Sequence, residues 1–272
     1  MRDKKPSTVV TTLLSFGLVA MADCTTDAGP PAEPKACGKV DHTHAVWTDI
    51  LSTHVEDGWV DYKSLESKTR PKLQRYLDQL AGVCGSDLRG WSKEQRLAFW
   101  INAYNAFMVD LVLRNYPLQS IRKIGTLPMA AFRDNFIPID LGNGRMMALN
   151  DIEHEILRKK FDEPRIHFGL VCASKSCPAL RSEAYIAAKI DQQLDDQARQ
   201  FIADASKNRV DLSSHTLHLS KIFEWFREDF EKNDTELTDF IRKYLDPKTS
   251  KALQGRPVEI QFIDYDWSLN GI

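Results

Sequence analysis

The densest group of chemically reactive residue types lies between residues 165 and 178, where the sequence runs Arg-Ile-His-Phe-Gly-Leu-Val-Cys-Ala-Ser-Lys-Ser-Cys-Pro. This segment contains one imidazole, His167, and two thiols, Cys172 and Cys177. A thiol beside an imidazole can act as a nucleophile, because the base takes its proton and favours the thiolate. In an oxidising compartment two nearby thiols can instead pair as a disulfide. The segment is therefore a candidate site of thiol chemistry.

The spacing of His167 and Cys172 in the sequence argues against direct contact between their side chains. Apolar side chains at every second position from 166 to 170 predict a strand over 165–172, and the proline after the second cysteine predicts a loop. In such a strand Cys172 would lie roughly 16 Å from His167 and on the opposite face. We therefore expect a Cys172–Cys177 disulfide that shapes the loop beside His167. The alternative is Cys177 as a nucleophile with His167 as its base.

Three polar residues elsewhere are candidates to support this site. Asn102 and Asn105 lie three positions apart in a predicted helix, so they share a face, and their amides could bind a ligand or His167 or form a structural network. Glu153 could orient the histidine of a thiol enzyme, as Asn105 also could. Glu153 fits equally the end of a helix capping box that begins at Asn150, which we take as its main role.

Other kinds of site have little support. Two histidine pairs, at positions 42 and 44 and at 215 and 218, lack the cysteine or carboxylate pattern of a metal centre, so no metal site is predicted. Neither a phosphate-binding loop nor a dinucleotide fingerprint occurs, so no cofactor is expected. The formal net charge of −2 and the lack of a basic patch argue against nucleic-acid binding.

The elements that must position these residues are mostly helical. A capping box at Ser92 and Gln95 opens a long apolar helix that ends before Pro117, and this helix is expected to be central and buried. Two hairpins, over 136–149 and 210–219, and a final strand at 258–263 are also predicted. The pattern indicates an α+β fold, a helix-rich single domain packed on a small, mainly antiparallel sheet.

The N-terminal residues resemble a targeting segment. A basic start, an apolar stretch and Ala20-Met-Ala22 predict an export signal over 1–22, followed by a Pro/Gly-rich linker over 23–38 and the domain over 39–272. Cys24 follows the signal closely, so a lipid anchor at this residue and soluble export both stay open. Five cysteines form an odd number, which favours modification of Cys24. We expect a periplasmic or extracellular protein that meets the membrane only through such an anchor.

Several blocks of sequence, taken together, resemble the family called domain of unknown function 547. They are Trp100–Asn105, Asp151–Arg158, His167–Pro178, Lys221–Phe230 and Asp264–Asn270, with a weaker block at Gly58–Tyr62. The resemblance implies a domain identity without a reaction. We expect foremost a module that binds a small molecule, a peptide or a protein around Asn102, Asn105 and His167. The competing expectation is a thiol-dependent hydrolase or acyl transferase, so whether the protein is an enzyme stays open.

Overall fold

The computed structural model describes residues 37–232 and 235–272. The predicted export signal, Cys24 and all but the last two residues of the predicted linker therefore lie outside the described residues. Within the described ranges, no helix is both long enough and apolar enough to cross a lipid bilayer.

Helices form most of the domain. Their bounds are α1 Ala45–His54, α2 Tyr62–Ser64, α3 Arg70–Ala81, α4 Gly85–Gly90, α5 Lys93–Arg114, α6 Ala130–Arg133, α7 Arg158–Lys160, α8 Ile166–Gly169, α9 Ile190–Ala203, α10 Lys221–Trp225, α11 Arg227–Phe230, α12 Leu237–Arg242 and α13 Pro247–Ala252. Wider π-helical turns cover Leu65–Thr69 and Asp151–Leu157, and tighter 3₁₀ turns cover Ile121–Lys123 and Ala187–Lys189.

The strands form two small sheets. Strands β1 (Val55–Glu56) and β2 (Trp59–Val60) make an antiparallel pair. Strands β3 (Arg209–Asp211), β4 (Thr216–Ser220) and β5 (Glu259–Ile263) form the second sheet. In it β3 and β4 are antiparallel, whereas β4 and β5 are parallel. The domain is thus a helix-rich α+β fold with small, mainly antiparallel sheets, as the sequence predicts.

Helix α5 is the buried centre of the fold. Its predicted capping box is present, since the Ser92 hydroxyl accepts from the Gln95 backbone N–H and the Gln95 side chain accepts from the Ser92 N–H. Every residue from Leu97 to Leu113 is buried, so this helix is covered on all sides. Such a helix must satisfy its polar side chains internally, because no water reaches them. Its asparagines therefore need protein partners.

A disulfide joins Cys37 to Cys84 and ties the start of the described chain to α4. The backbone N–H of Gly38 also donates to the carbonyl of Gly82 at 2.9 Å. The sequence instead predicts a disulfide between Cys172 and Cys177. Those two residues are free thiols in the structure, so the predicted disulfide is corrected.

The strand predicted over 165–172 is also wrong. Residues 166–169 form the short helix α8, and residues 170–172 belong to no helix or strand. All four helical residues are buried, with His167 as deep as its apolar neighbours. A segment that is covered on every side has no polar face, so the spacing of its apolar residues cannot distinguish a strand from a helical turn.

Candidate functional site

Asparagine side chains of α5 hold the two backbone segments that frame the site. The Asn105 amide donates to the carbonyl of Gly169 at 2.8 Å, and its oxygen accepts from the N–H of Val171 at 2.9 Å. Asn102 makes the same double contact with the backbone of Tyr185, at 2.7 and 3.0 Å. Each carboxamide thus pairs with a backbone donor and a backbone acceptor. The sequence leaves open whether these amides bind a ligand or form a structural network, and the observed contacts form a structural network.

The loop from Cys172 to Pro178 is fastened by the C-terminal segment of the chain. The N–H groups of Lys175 and Ser176 donate to the carbonyls of Ser268 and Asp266, at 2.8 and 3.2 Å. Ala173, directly after the first cysteine, has a left-handed φ of 58°, which is uncommon for a residue with a side chain. Left-handed residues other than glycine cluster at functional turns, because the surrounding contacts must hold them there.

The two thiols lie close together but differ in burial and in pKa. The backbone N–H of Cys172 donates to the Cys177 sulfur at 2.8 Å. Cys177 is buried, with 4% of its surface exposed, whereas Cys172 is half-buried. Burial raises the pKa of the Cys177 thiol, and the neighbouring Cys172 sulfur raises it further. Cys177 therefore keeps its proton at neutral pH and is a poor nucleophile, contrary to the alternative derived from the sequence.

The pKa of the Cys172 thiol is shifted in the opposite direction. Burial alone would raise its pKa, but hydrogen bonds from Cys177, Ser174 and Tyr265 outweigh burial and lower the pKa to about 7. The Ser174 hydroxyl lies 2.9 Å from the Cys172 sulfur and the Tyr265 hydroxyl lies 3.2 Å away. Donors that point at a sulfur stabilise its thiolate form. Cys172 is thus the better nucleophile of the pair.

His167 is buried and held by a carboxylate. Its Nε2 lies 2.8 Å from Oδ2 of Asp229, and its ring stacks on Phe226 with the centroids 4.0 Å apart. Burial lowers the pKa of His167 despite the opposing effect of Asp229, so the imidazole is neutral at pH 7. Because Asp229 is ionised and accepts, Nε2 carries the proton and Nδ1 keeps its lone pair.

Asp229 is the central residue of a small charge network. Its Oδ2 also accepts from Nε of Arg158 at 2.5 Å. Burial works against its charge, but the hydrogen bonds from His167 and Arg158 hold its pKa well below the usual range. Arg158 further contacts Nδ1 of His154 at 3.2 Å and the carboxylate of Glu228. This network orients His167 and fixes its tautomer.

Glu153 is a buried carboxyl group that forms no ion pair among the described residues. Its Oε2 accepts from the Tyr104 hydroxyl at 3.2 Å, and burial raises its pKa to about 7. It caps no helix, because the carboxylate that accepts a backbone N–H at this turn belongs to Asp151. The predicted capping role of Glu153 is therefore wrong. Nor does Glu153 hydrogen-bond to His167, which Asp229 orients instead.

These groups meet at one cavity of about 130 Å³. Apolar and aromatic side chains make up most of its wall. Its lining residues are Tyr104, Met129, Phe132, Asn150, Glu153, His154, His167, Leu170, Cys172, Cys177, Ile222, Trp225, Phe226, Tyr265 and Trp267. No hydrogen bond joins Cys172 to His167 among the described residues, although both side chains line the same space. The structure thus brings together His167, Glu153 and both cysteines, while Asn102 and Asn105 lie behind the site.

Sequence reasoning missed Asp229 and Tyr265, which act directly on the two reactive groups. Each is far along the chain from its partner, 62 residues for Asp229 and 93 residues for Tyr265. Both lie in blocks that carry the family resemblance, Lys221–Phe230 and Asp264–Asn270. The family resemblance therefore pointed to both blocks, but no neighbouring residue in the sequence indicated which group Asp229 or Tyr265 would contact.

Among the described residues, one group has the geometry to hold a metal ion, and it consists of Cys37, Cys84 and Asp87. The two sulfurs of this group form the disulfide, so they offer no thiolate to a metal. This group therefore does not form a metal centre.

The comparisons with known proteins agree with the resemblance noted from the motifs. No curated protein and no solved structure matches the chain. A family model does match, over residues 88–202, which include α5, His167 and both cysteines of the loop. The chain resembles, over that range, the family described as "Protein of unknown function, DUF547".

Proposed function

We propose that this chain is an exported thiol-dependent hydrolase or acyl transferase in which Cys172 attacks the carbonyl carbon of an acyl group. One observation carries the proposal: a thiol of lowered pKa and a neutral imidazole held by a carboxylate line the same cavity. This is the set of groups that thiol acyl transfer requires.

The lowered pKa of Cys172 gives it a kinetic advantage. At pH 7 a thiol with a pKa of about 7 is half ionised, against about one part in a hundred for the ordinary value of 9.0. The fifty-fold gain in thiolate is offset by about eightfold, because a less basic thiolate is less nucleophilic. Cys172 should therefore react faster than a thiol of ordinary pKa.

His167 supplies the proton transfers. Its Nδ1 takes the proton of any un-ionised Cys172 and returns it to the leaving group as the thioester forms and the bond to that group breaks. Water then attacks the thioester, releasing the acid and restoring the thiol, or a second nucleophile accepts the acyl group. The distance between nucleophile and base often shortens only when substrate binds, so the lack of a direct contact is compatible with this step.

The cavity favours an acyl group of limited size. A volume of about 130 Å³ compares with the roughly 150 Å³ of an apolar protein cavity that holds one benzene ring. We therefore expect an acyl group with one ring or a short branched chain, bound against rings such as Phe132 and Phe226. Longer groups would have to extend past the exposed Trp225 at the rim.

The test combines thiol labelling with an ester panel. Iodoacetamide at pH 7, followed by peptide mass spectrometry, should label Cys172 well before Cys177. Nitrophenyl esters with benzoyl or isovaleryl groups should be cleaved faster than the decanoyl ester, and Cys172→Ala should abolish cleavage. Labelling of Cys177 first, or equal cleavage by Cys172→Ala, would refute the proposal.

Two neighbouring acidic residues provide a matched pair of variants for the base. Asp229→Asn removes the carboxylate that fixes the His167 tautomer, and it should lower turnover by about a hundredfold or more. Glu228→Gln removes the exposed partner of the same arginine, Arg158, and should leave turnover within about twofold. Equal effects of the two changes would assign Asp229 a purely structural role.

A binding protein without catalysis is the second candidate. The apolar wall of the cavity favours it, because such walls bind apolar groups without any bond being made. In that case Cys172→Ala would keep the affinity for the acids of the ester panel, measured by calorimetry, and the wild type would show no turnover.

Export is part of the proposal and rests on the N-terminal pattern of basic, apolar and small residues. The Cys37–Cys84 disulfide supports it, because disulfides persist mainly in oxidising compartments. Mass spectrometry of the protein from an envelope fraction should find a terminus at Asp23, or at Cys24 with the added mass of a lipid. An intact Met1 in that fraction would refute both forms.

A further inference from the structure

The second thiol of the loop has no part in acyl transfer, yet it is in contact with the first. The Cys177 sulfur accepts the backbone N–H of Cys172 at 2.8 Å, and the side chain of Cys177 also interacts with the Cys172 sulfur. The C-terminal segment fastens the loop that joins the two residues.

The environments of the two thiols suit the two different roles that thiol–disulfide exchange requires. Exchange needs one accessible thiolate that attacks an external disulfide, and a second thiol that displaces the product from the first. Cys172 is half-buried and lines the cavity, and its sulfur is surrounded by the hydroxyl groups of Ser174 and Tyr265. Cys177 is almost fully buried, and burial raises the pKa of its thiol, so the thiol keeps its proton at neutral pH.

The rest of the described chain shows that this pair is different from its other cysteines. Cys37 and Cys84 are already joined in a disulfide, while Cys172 and Cys177 are free in the same structure. Two contacting thiols that are not joined can form a disulfide and be reduced again.

We propose that Cys172 and Cys177 carry out thiol–disulfide exchange with an external disulfide, with Cys172 as the attacking thiol and Cys177 as the resolving thiol. The inference rests on the proposed function in one respect, the nucleophilic role of Cys172. It extends that function to a second substrate class, disulfides in which one sulfur carries an aromatic group of about one ring.

The steps balance without a cofactor. The Cys172 thiolate attacks one sulfur of the external disulfide, a mixed disulfide forms, and the other half leaves as a thiolate. Cys177 then loses its proton and attacks the Cys172 sulfur, the mixed disulfide breaks, and the second half leaves as a thiolate. Two thiols of the protein are oxidised to one disulfide, and one external disulfide is reduced to two thiols.

An aromatic disulfide provides the test. Dithiobis(nitrobenzoic acid) has one ring on each sulfur and releases a coloured thiol at each step. The full chain should carry Cys24→Ser in every sample, so that only the loop thiols react. The otherwise unchanged protein should release two equivalents of coloured thiol and end without an adduct, lighter by two hydrogen atoms in intact mass.

Variants of the two cysteines separate the steps. Cys177→Ser keeps an acceptor for the Cys172 N–H, so it should fold, release one equivalent and retain one nitrothiobenzoate adduct on Cys172. Cys172→Ser should slow the first release by about tenfold or more, since only the buried thiol remains. Near-ultraviolet circular dichroism would verify that both variants are folded, and Cys177→Ala would replace Cys177→Ser if that protein were not.

Ser174→Ala is the matched control. It removes a hydroxyl that stabilises the Cys172 thiolate and leaves both thiols in place, so it should slow the first release several-fold and still release two equivalents.

The outcomes distinguish this inference from the proposed function. If the protein with both loop thiols stops after one equivalent with an adduct on Cys172, the exchange proposal is overturned while the nucleophilic role of Cys172 stands. If Cys172→Ser reacts as fast as the protein with both thiols, the nucleophile is misassigned and both proposals fail.

Discussion

Replacing Glu153 by glutamine should make the folded protein more stable at high pH, because the wild-type carboxyl group must lose a proton in a buried place. In the folded protein its pKa lies near 7, against 4.5 when the chain is unfolded and the group is in water. Between these values the folded state holds one proton more than the unfolded state, so raising the pH favours unfolding. The stability present below pH 4.5 is progressively lost as the pH rises through 7.

The size of the effect follows from the two pKa values. Each pH unit between them costs about 1.4 kcal/mol, so wild-type stability should fall by about 3 kcal/mol from pH 4 to pH 8 through this group alone. Glutamine cannot ionise, and its amide oxygen can still accept from the Tyr104 hydroxyl. The free energy of unfolding of Glu153→Gln, relative to wild type, should therefore rise by about 3 kcal/mol over that range.

Urea denaturation at pH 4, 6 and 8 measures this difference. Glu155→Gln is the matched control, because it changes an exposed carboxyl group two residues away that pairs with Lys159. Hydrogen bonding to Lys159 lowers the pKa of Glu155, so this variant should show no added stability between pH 6 and pH 8. If Glu153→Gln differs from wild type by the same amount at every pH, the carboxyl group is solvated and the argument from burial is wrong.

Three further changes test the parts of the fold that position the site. Asn105→Ala leaves a backbone donor and a backbone acceptor without partners and should cost about 1 to 3 kcal/mol for each in urea denaturation, whereas the exposed Asn143→Ala should change little. Cys37→Ser removes the disulfide that closes a loop of 47 residues and should lower the free energy of unfolding by about 4 kcal/mol. If the wild type unfolds at the same urea concentration with and without reductant, the disulfide does not stabilise the fold and this prediction is wrong. Gly58→Ala places a methyl group 2.4 Å from a neighbouring Cβ at a φ of 83° and should lower the melting temperature, while Gly90→Ala meets nothing within 4 Å and should leave it nearly unchanged.

The helical centre of the fold could be predicted from sequence because its signals are local. The capping box at Ser92 and the apolar run that ends before Pro117 place α5 within one or two residues of its observed bounds. The β3–β4 hairpin and strand β5 were likewise predicted, from short apolar runs separated by turn residues. These features depend on residues a few positions apart, which the sequence displays directly.

The shared face of Asn102 and Asn105 was also visible in the sequence, and the structure confirms that both are buried. Three residues of helix bring two side chains to one side, so the spacing alone predicted a common environment. What the amides bind was not visible. Their partners are the backbones of residues 169, 171 and 185, between 64 and 83 positions away.

The sequence by itself determined which residues could do chemistry, since it placed one imidazole and two thiols within eleven positions. Only the tertiary structure decided their roles. Tyr265, near the end of the chain, stabilises the Cys172 thiolate, and Asp229 orients His167. Burial keeps the Cys177 thiol protonated. A pKa depends on the solvent and the charges within a few ångströms of a group, and in this protein those neighbours come from segments that only folding brings together.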